Sequence, residues 1–311
     1  MSDSIFGIDI SKACSNVALL INGVVVDEFT ISNDRTGFAA LGAQLDRFPG
    51  SVTIFEATGV YSARLKTFLQ LGGYPHVTRN PLAAKRAMQG DGNLRHSKTD
   101  SLDAIGLAMD QHLHHHTPDV DQAPVYTQLR DESRFYQEIN EDVVQNKNRL
   151  HKLLQLTFPE IEGLVRHDDL LYFRLVKRFP HPSTVPMNSV SDLADMIKSM
   201  AVKRMTIKRA LTLAERLVTL AEEAYAARDA ASHLLQEISY TAAEVERLVQ
   251  LKLDIVDTMI EQAGCLPELA TLVSIPGIGQ CTAVMIIAEF GDIRRFHSAN
   301  AMNAYIVDTE Y

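Results

Sequence analysis

The sequence predicts an α/β domain built on a mixed sheet, followed by an all-helical remainder. Three observations carry this. Residues 4–31 run apolar and alternating around an Asn22-Gly23 turn. Apolar runs and helix-like stretches then alternate. From about residue 126 apolar residues recur at helical spacing.

The elements follow in order. Asn-Gly between two alternating runs is a hairpin signal, so strands are expected near 4–10, 15–21 and 24–31. Asn33-Asp34 caps a helix that carries Phe38, Leu41, Leu45 and Phe48. A strand at 51–56 follows, then a helix near 60–71 stopped by Gly72-Gly73, and a short strand at 75–79. Asn80-Pro81 opens another helix, with proline at the first position. Gly90-Asp91-Gly92-Asn93 is a looser stretch before a helix that starts around Asp100. Three antiparallel strands followed by alternating helices and strands is the RNase H order.

Four carboxylates fall where such a sheet would gather them. Asp9 lies near the end of the first strand and Glu56 closes the fourth, while Asp100 and Asp103, three apart, share one helix face. Two like charges about 4 Å apart repel by about 4 kcal/mol at an effective dielectric near 20. Divalent cations remove that cost, and a pair of them is the usual equipment for phosphodiester chemistry. Asp9, Glu56, Asp100 and Asp103 are therefore the candidate metal ligands and catalytic residues, with Mg²⁺ or Mn²⁺ as the cation. The alternative reading of each acid alone is a surface or capping residue.

The whole chain sets limits. Its 311 residues leave room for about two domains, and 46% hydrophobic residues is ordinary for a folded protein. No signal peptide and no apolar run of about 18 residues is present, so no membrane span is expected. Cys14, Cys265 and Cys281 have no disulfide or zinc spacing and read as small buried thiols in a cytoplasmic protein. A net charge of −9 argues against indiscriminate nucleic-acid binding. Charge is clustered, however. Arg79, Lys85, Arg86, Arg95 and Lys98 lead into Asp100, and Lys203, Arg204, Lys208 and Arg209 form a second knot. Basic residues beside an acidic metal cluster suit a polyanion whose backbone is held while metals act on it. A solvated face is the competing reading of the same charges.

The rest is helical. Leu129, Ile139, Val143, Leu150, Leu153 and Leu154 form a stripe up to Phe158-Pro159, and Pro180, Pro182 and Pro186 break the chain beyond it. Between Pro186 and Gly264 there is neither glycine nor proline, which suggests paired long helices or a coiled coil, a spacer or dimer arm. Val273-Ser274-Ile275-Pro276-Gly277-Ile278-Gly279 then describes the turn of a helix-hairpin-helix, whose Gly277 and Gly279 would offer backbone N–H groups to a phosphate; an ordinary tight turn is the alternative. The expected division is 1–122, 123–263 and 264–311. His112, His114, His115 and His116 end a helix before Thr117-Pro118 and, with no carboxylate or thiol at ligand spacing, read as a solvated helix end. Tyr61 and Tyr305 read as packing residues.

Together these pieces resemble the DEDD transposases of the insertion-sequence-110 family, RNA-guided (bridge-RNA) recombinases related to Piv invertases. The residues that carry the resemblance are Gly7-Ile8-Asp9-Ile10-Ser11-Lys12, Phe55-Glu56-Ala57-Thr58-Gly59-Val60-Tyr61, Asn80-Pro81 and Lys98-Thr99-Asp100-Ser101-Leu102-Asp103-Ala104. Ser274-Ile275-Pro276-Gly277-Ile278-Gly279 and Phe290-Gly291-Asp292-Ile293-Arg294-Arg295-Phe296 resemble the opening of the family's C-terminal domain. The resemblance implies a RuvC-like, RNase H-like metal domain with the tetrad above, a coiled-coil insertion and a transposase domain. It also implies DNA and a structured guide RNA as partners, Lys12 and the basic knot as contacts to them, and a homodimer or tetramer. The family's serine nucleophile sits in a Ser-Gly segment beyond Ala-Tyr-(Val/Ile)-Gly. Here Ala304-Tyr305-Ile306 is followed by Val307-Asp308-Thr309-Glu310-Tyr311, and Ser298 does not match it. The expectation is thus a C-terminally truncated member that lacks the nucleophile for strand exchange. A resolvase-like metal nuclease and a non-catalytic nucleic-acid-binding regulator are the alternatives, with an actin-like sugar kinase behind them for want of phosphate loops.

Overall fold

The computed structural model describes residues 3–57, 59–79, 100–186, 189–296 and 298–309. It parts the chain into two compact units, Met1–Asp121 and Gln122–Tyr311.

The first unit is a five-stranded sheet: β1 (Ser4–Ile10), β2 (Cys14–Ile21), β3 (Val24–Ser32), β4 (Val52–Glu56) and β5 (His76–Arg79). Their order is β3-β2-β1-β4-β5. β1–β2 and β2–β3 are antiparallel, whereas β1–β4 and β4–β5 are parallel. This is the RNase H-like arrangement the sequence predicts. Asn22 (φ 51°) and Gly23 (φ 81°) both take the left-handed conformation that a two-residue hairpin turn requires.

Alternation sends the two faces of the sheet to different partners. Phe6, Ile8, Val17, Leu19 and Phe55 pack with Phe38, Leu41 and Leu45 of α1 (Arg35–Leu45) and with Leu65 and Leu69 of α2 (Val60–Gly72). Ile5, Leu20, Ile54 and Val77 pack instead with Leu107 and Ala108 of α3 (Asp100–His114). Gly7 lies on this second face, where a Cβ would run into the Ala104 carbonyl oxygen and meet the Ala108 Cβ at 2.8 Å. Glycine is what lets α3 rest directly on β1.

Asp34 caps α1 as the sequence predicts. Its Oδ1 accepts from the Gly37 amide at 3.0 Å, the Ser32 hydroxyl at 2.7 Å and the Thr36 amide at 2.9 Å. These donors, the Gly37 amide foremost, hold its carboxyl below the ordinary value of 3.8. A depressed carboxylate contributes stability above its unfolded pKa and loses it as pH falls through the lower folded value. Melting curves of wild type and Asp34→Asn should therefore differ in acid dependence below pH 3.8, the variant having the flatter profile.

The second unit is helical: α4 (Pro124–Leu154), α5 (Leu170–Arg178), α6 (Val190–Met200), α7 (Ile207–Glu223), α8 (Leu234–Ala263), α9 (Pro267–Val273), α10 (Gln280–Phe290) and α11 (Ala299–Thr309). α4 and α8 are the long pair, 31 and 30 residues. Three contacts order them antiparallel: Gln262 to Glu132 at 2.6 Å, Lys252 to Asn140 at 2.5 Å and Arg149 to Glu237 at 2.7 Å. Leu129, Ile139, Val143, Leu150 and Leu154 of α4 and Ile238, Val245, Leu248 and Met259 of α8 share one core. α10 joins it through Val284, Ile287 and Ala288. The stretch without glycine or proline is three helices, interrupted at 201–206 and 224–233. Thr206 caps α7, its side chain accepting from the Arg209 amide at 3.3 Å.

Candidate active site

The sheet brings two of the four acids side by side. Ile8 and Phe55 are register partners across the parallel β1–β4 pair, so Asp9 and Glu56 are the next pair along, at the carboxyl ends of neighbouring strands. Ile8 and Phe55 belong to the α1–α2 face; their successors Asp9 and Glu56 therefore project to the other face, the one α3 covers. Both are partly buried and both have interaction partners.

α3 runs antiparallel to β1, and its two ends show why. Its last turn reaches the start of β1, where His112 Nδ1 lies 2.8 Å from Asp3 Oδ2. Its middle rests on Gly7 through Ala104 and Ala108. Two strand residues beyond Gly7, about 7 Å at 3.3 Å each, correspond to about four helical residues at 1.5 Å each. That step leads from Gly7 to Asp9 and from the middle of α3 to its first turn, where half-buried Asp103 stands. Asp100 is the first residue of α3. Its side chain lies outside the described residues, as do Lys85, Arg86, Arg95 and Lys98 and the Asn80-Pro81 helix opening.

The remaining candidates divide. Lys12 is exposed in the turn just after β1, a turn braced by Asn33 Nδ2 donating to the Ser11 carbonyl at 2.6 Å. Arg79 pairs in register with Glu56, but its guanidinium approaches Asp110, Nε to Oδ2 at 3.0 Å, and is largely buried. Lys203, Arg204, Lys208 and Arg209 are all exposed around the start of α7. Gly277 (φ 94°) makes the turn between α9 and α10 in the left-handed region, and Gly279 caps α10 without a side chain. Among the described residues nothing lies within 4 Å of a Cβ at either glycine.

Three expectations need correcting. Tyr61 is exposed rather than packed. Cys265 and Cys281 are exposed rather than buried, and Cys14 is intermediate. The histidines at the end of α3 do have a carboxylate: Asp110, one helical turn before His114, lies beside both His114 and His116. The Phe290–Phe296 motif is a structural brace. Asp292 accepts from the Arg294 amide at 2.9 Å, and Arg294 donates to the Tyr126 hydroxyl at 2.9 Å while pairing with buried Glu268 at 3.3 Å. Arg295 lies over Phe296 and Tyr305, 4.4 and 4.5 Å from the ring centres, so Tyr305 packs as expected. Ser298 accepts from the Ala301 amide at 3.2 Å, in the first turn of α11.

Comparison with known proteins bears directly on these motifs. The profile of the DEDD transposases of the IS110 type, described as Transposase, matches residues 6–159. That of the Transposase IS116/IS110/IS902 family matches residues 269–307. The chain belongs to the IS110 transposase family. Among curated proteins this IS110-family chain is similar to the mini-circle transposase for IS117 of Streptomyces coelicolor, 26% identical, the match covering 96% of this chain and 74% of that protein. Among solved structures it is similar to RuvC of Thermus thermophilus in complex with a Holliday junction substrate, 12% identical over 38% of this chain and 99% of that one, at a TM-score of 0.29. A second Thermus thermophilus RuvC structure is 13% identical over 37% and 99%, again at 0.29. Among the described residues, no helix of this family member is long and apolar enough to cross a membrane.

Proposed function

We propose that this chain is a transposase that cuts and transfers DNA strands with divalent cations held by Asp9, Glu56, Asp100 and Asp103, directed by a structured RNA. The observation that supports it most is the register of Asp9 and Glu56 at the ends of two parallel strands, on the face crossed by the helix that bears Asp103. An all-carboxylate donor set fits a hard cation, Mg²⁺ or Mn²⁺, better than a softer one. Such a cation, when bound, polarises the phosphodiester and lowers the pKa of the attacking hydroxyl.

The chain's own residues supply position. Asp9 and Glu56 are held side by side by the sheet, while Asp103 is carried towards them by the seat of α3 on Gly7. Lys12, exposed beyond Asp9, is suited to a phosphate near the cut bond, and Lys85, Arg86, Arg95 and Lys98 are further phosphate contacts by their charge. The start of α10 at Gly279, presented by the turn at Gly277, offers a second phosphate contact, independent of base sequence. Residues 123–263, with the α4–α8 pair, serve as a coiled-coil arm for assembly into a homodimer or tetramer, and 264–311 contribute to the transposase domain.

The test is strand cleavage by the full chain on DNA carrying its insertion sequence, with the RNA transcribed beside the gene and with Mg²⁺. Cleavage that needs both RNA and Mg²⁺ is the expected result. Cleavage of junction DNA with metal alone would replace this reading by a resolvase-like nuclease. Binding of RNA and DNA with no cleavage would replace it by a non-catalytic regulator.

A further inference from the structure

The end of α3 carries a cluster that the proposed DNA chemistry does not use. Asp110 and His114 are one turn apart on the helix, and His114 Nδ1 lies 3.0 Å from Asp110 Oδ1. His116 lies beyond the helix, yet its Nε2 is 3.0 Å from Asp110 Oδ2. The chain doubles back to achieve this. His115 adopts φ 47°, left-handed for a residue with a side chain, and its amide donates to the Gln111 carbonyl at 2.9 Å. The Gln111 side chain donates to the His116 carbonyl at 3.0 Å and fixes the returning strand. A non-glycine residue in this region costs energy that the surrounding contacts must offset.

We infer that Asp110, His114 and His116 form a binding site for a transition-metal ion of the Zn²⁺ class. The three donor atoms all lie within 4.8 Å of one another. Each imidazole nitrogen lies 3.0 Å from its own oxygen of the carboxylate, His114 Nδ1 from Oδ1 and His116 Nε2 from Oδ2, close to the donor–donor separation of about 3.3 Å that a tetrahedron with bonds of about 2.0–2.1 Å sets. Two imidazoles and one carboxylate select Zn²⁺ over Mg²⁺, which prefers oxygen alone. With His114 57% exposed and Asp110 11% exposed, the site has a buried floor and an open side, leaving a fourth position for water. Arg79 Nε, 3.0 Å from Asp110 Oδ2, is a cationic partner of the carboxylate outside the donor set. His114 Nδ1 is also 3.1 Å from the Asp110 carbonyl oxygen, so metal binding exchanges that hydrogen bond for a coordinate bond. The cluster lies seven residues past Asp103, about 10 Å of helix rise. It would tie the loop after α3 to the helix and, through Arg79, to β5.

The experiment titrates the metal-free full chain with Zn²⁺ alone and, in parallel, with Co²⁺ followed by visible absorption. Expected is one Zn²⁺ per chain that survives Asp9→Asn and Glu56→Gln. Either His114→Ala or His116→Ala should weaken it by more than about 100-fold, beyond the roughly 10–100-fold that outer-shell changes cost. The Co²⁺ form of the unmodified chain should show the intense bands of four-coordinate geometry, a readout that needs no variant to fold. Zn²⁺ binding that vanishes with Asp9→Asn but not with the histidine changes would overturn the proposal. So would Co²⁺ spectra of six-coordinate type, or no stoichiometric binding, which would leave a hydrogen-bonded cluster only.

Discussion

Replacing Asp9 by Asn is expected to abolish strand cleavage, by at least about 10³-fold, while leaving the sheet intact. The size follows from where the residue stands. Asp9 stands next to the last residue of the central β1, beside Glu56 across a parallel pair. Asparagine keeps the volume and the hydrogen-bonding capacity but removes the charge that a hard cation needs. The accompanying measurement is thermal stability with and without Mg²⁺. A cation at about 100 times its dissociation constant stabilises the folded form by about 2.7 kcal/mol, and that increment should disappear in Asp9→Asn and in Asp103→Asn. Cleavage by Asp9→Asn at wild-type rate would remove the tetrad from the chemistry.

Gly7→Val should have the largest effect on folding. A Cβ at this position already collides with the Ala104 carbonyl and comes within 2.8 Å of the Ala108 amide and Cβ, all part of one rigid helix face. Nothing there can rotate away, unlike the far end of a long side chain. Overpacking of this kind costs about 1–3 kcal/mol, and valine adds two methyl groups to the collision, so a loss of about 3 kcal/mol or more is expected. Gly7→Ala is the informative milder case: α3 must lift from β1, taking Asp103 away from Asp9. Its cleavage rate should fall more than its melting temperature suggests. An alanine variant that melts and cleaves like wild type would show that the seat of α3 on Gly7 does not position the site.

The sheet was legible because its signals are local. Alternation and the Asn22-Gly23 turn put the first three strands within a residue or so of β1, β2 and β3, and Asp34 was readable as a cap from its own type and place. Asp9, Glu56 and Asp103 could be nominated because strand ends and helix faces follow from period alone. Other features had no such signal. The breaks on either side of α7 contain no glycine or proline, and a single threonine cap at 206 is weak punctuation. The histidine cluster depends on His115 taking a left-handed turn, which sequence leads one to expect of glycine or asparagine. Asp110 carries no such signal because its partner His116 comes from beyond the helix end, where helical spacing no longer applies.

The unbroken length of α4 also limits how this arm can change. Each residue inserted into its 31 advances everything beyond it by about 1.5 Å and turns it by about 100°. One added residue would swing Leu150 and Leu154 out of the shared core, and two would do worse. Seven restore the angle to within about 20°, provided the antiparallel α8 grows by the same amount. Relatives with longer or shorter arms should therefore differ in steps of about seven, taken in both helices at once.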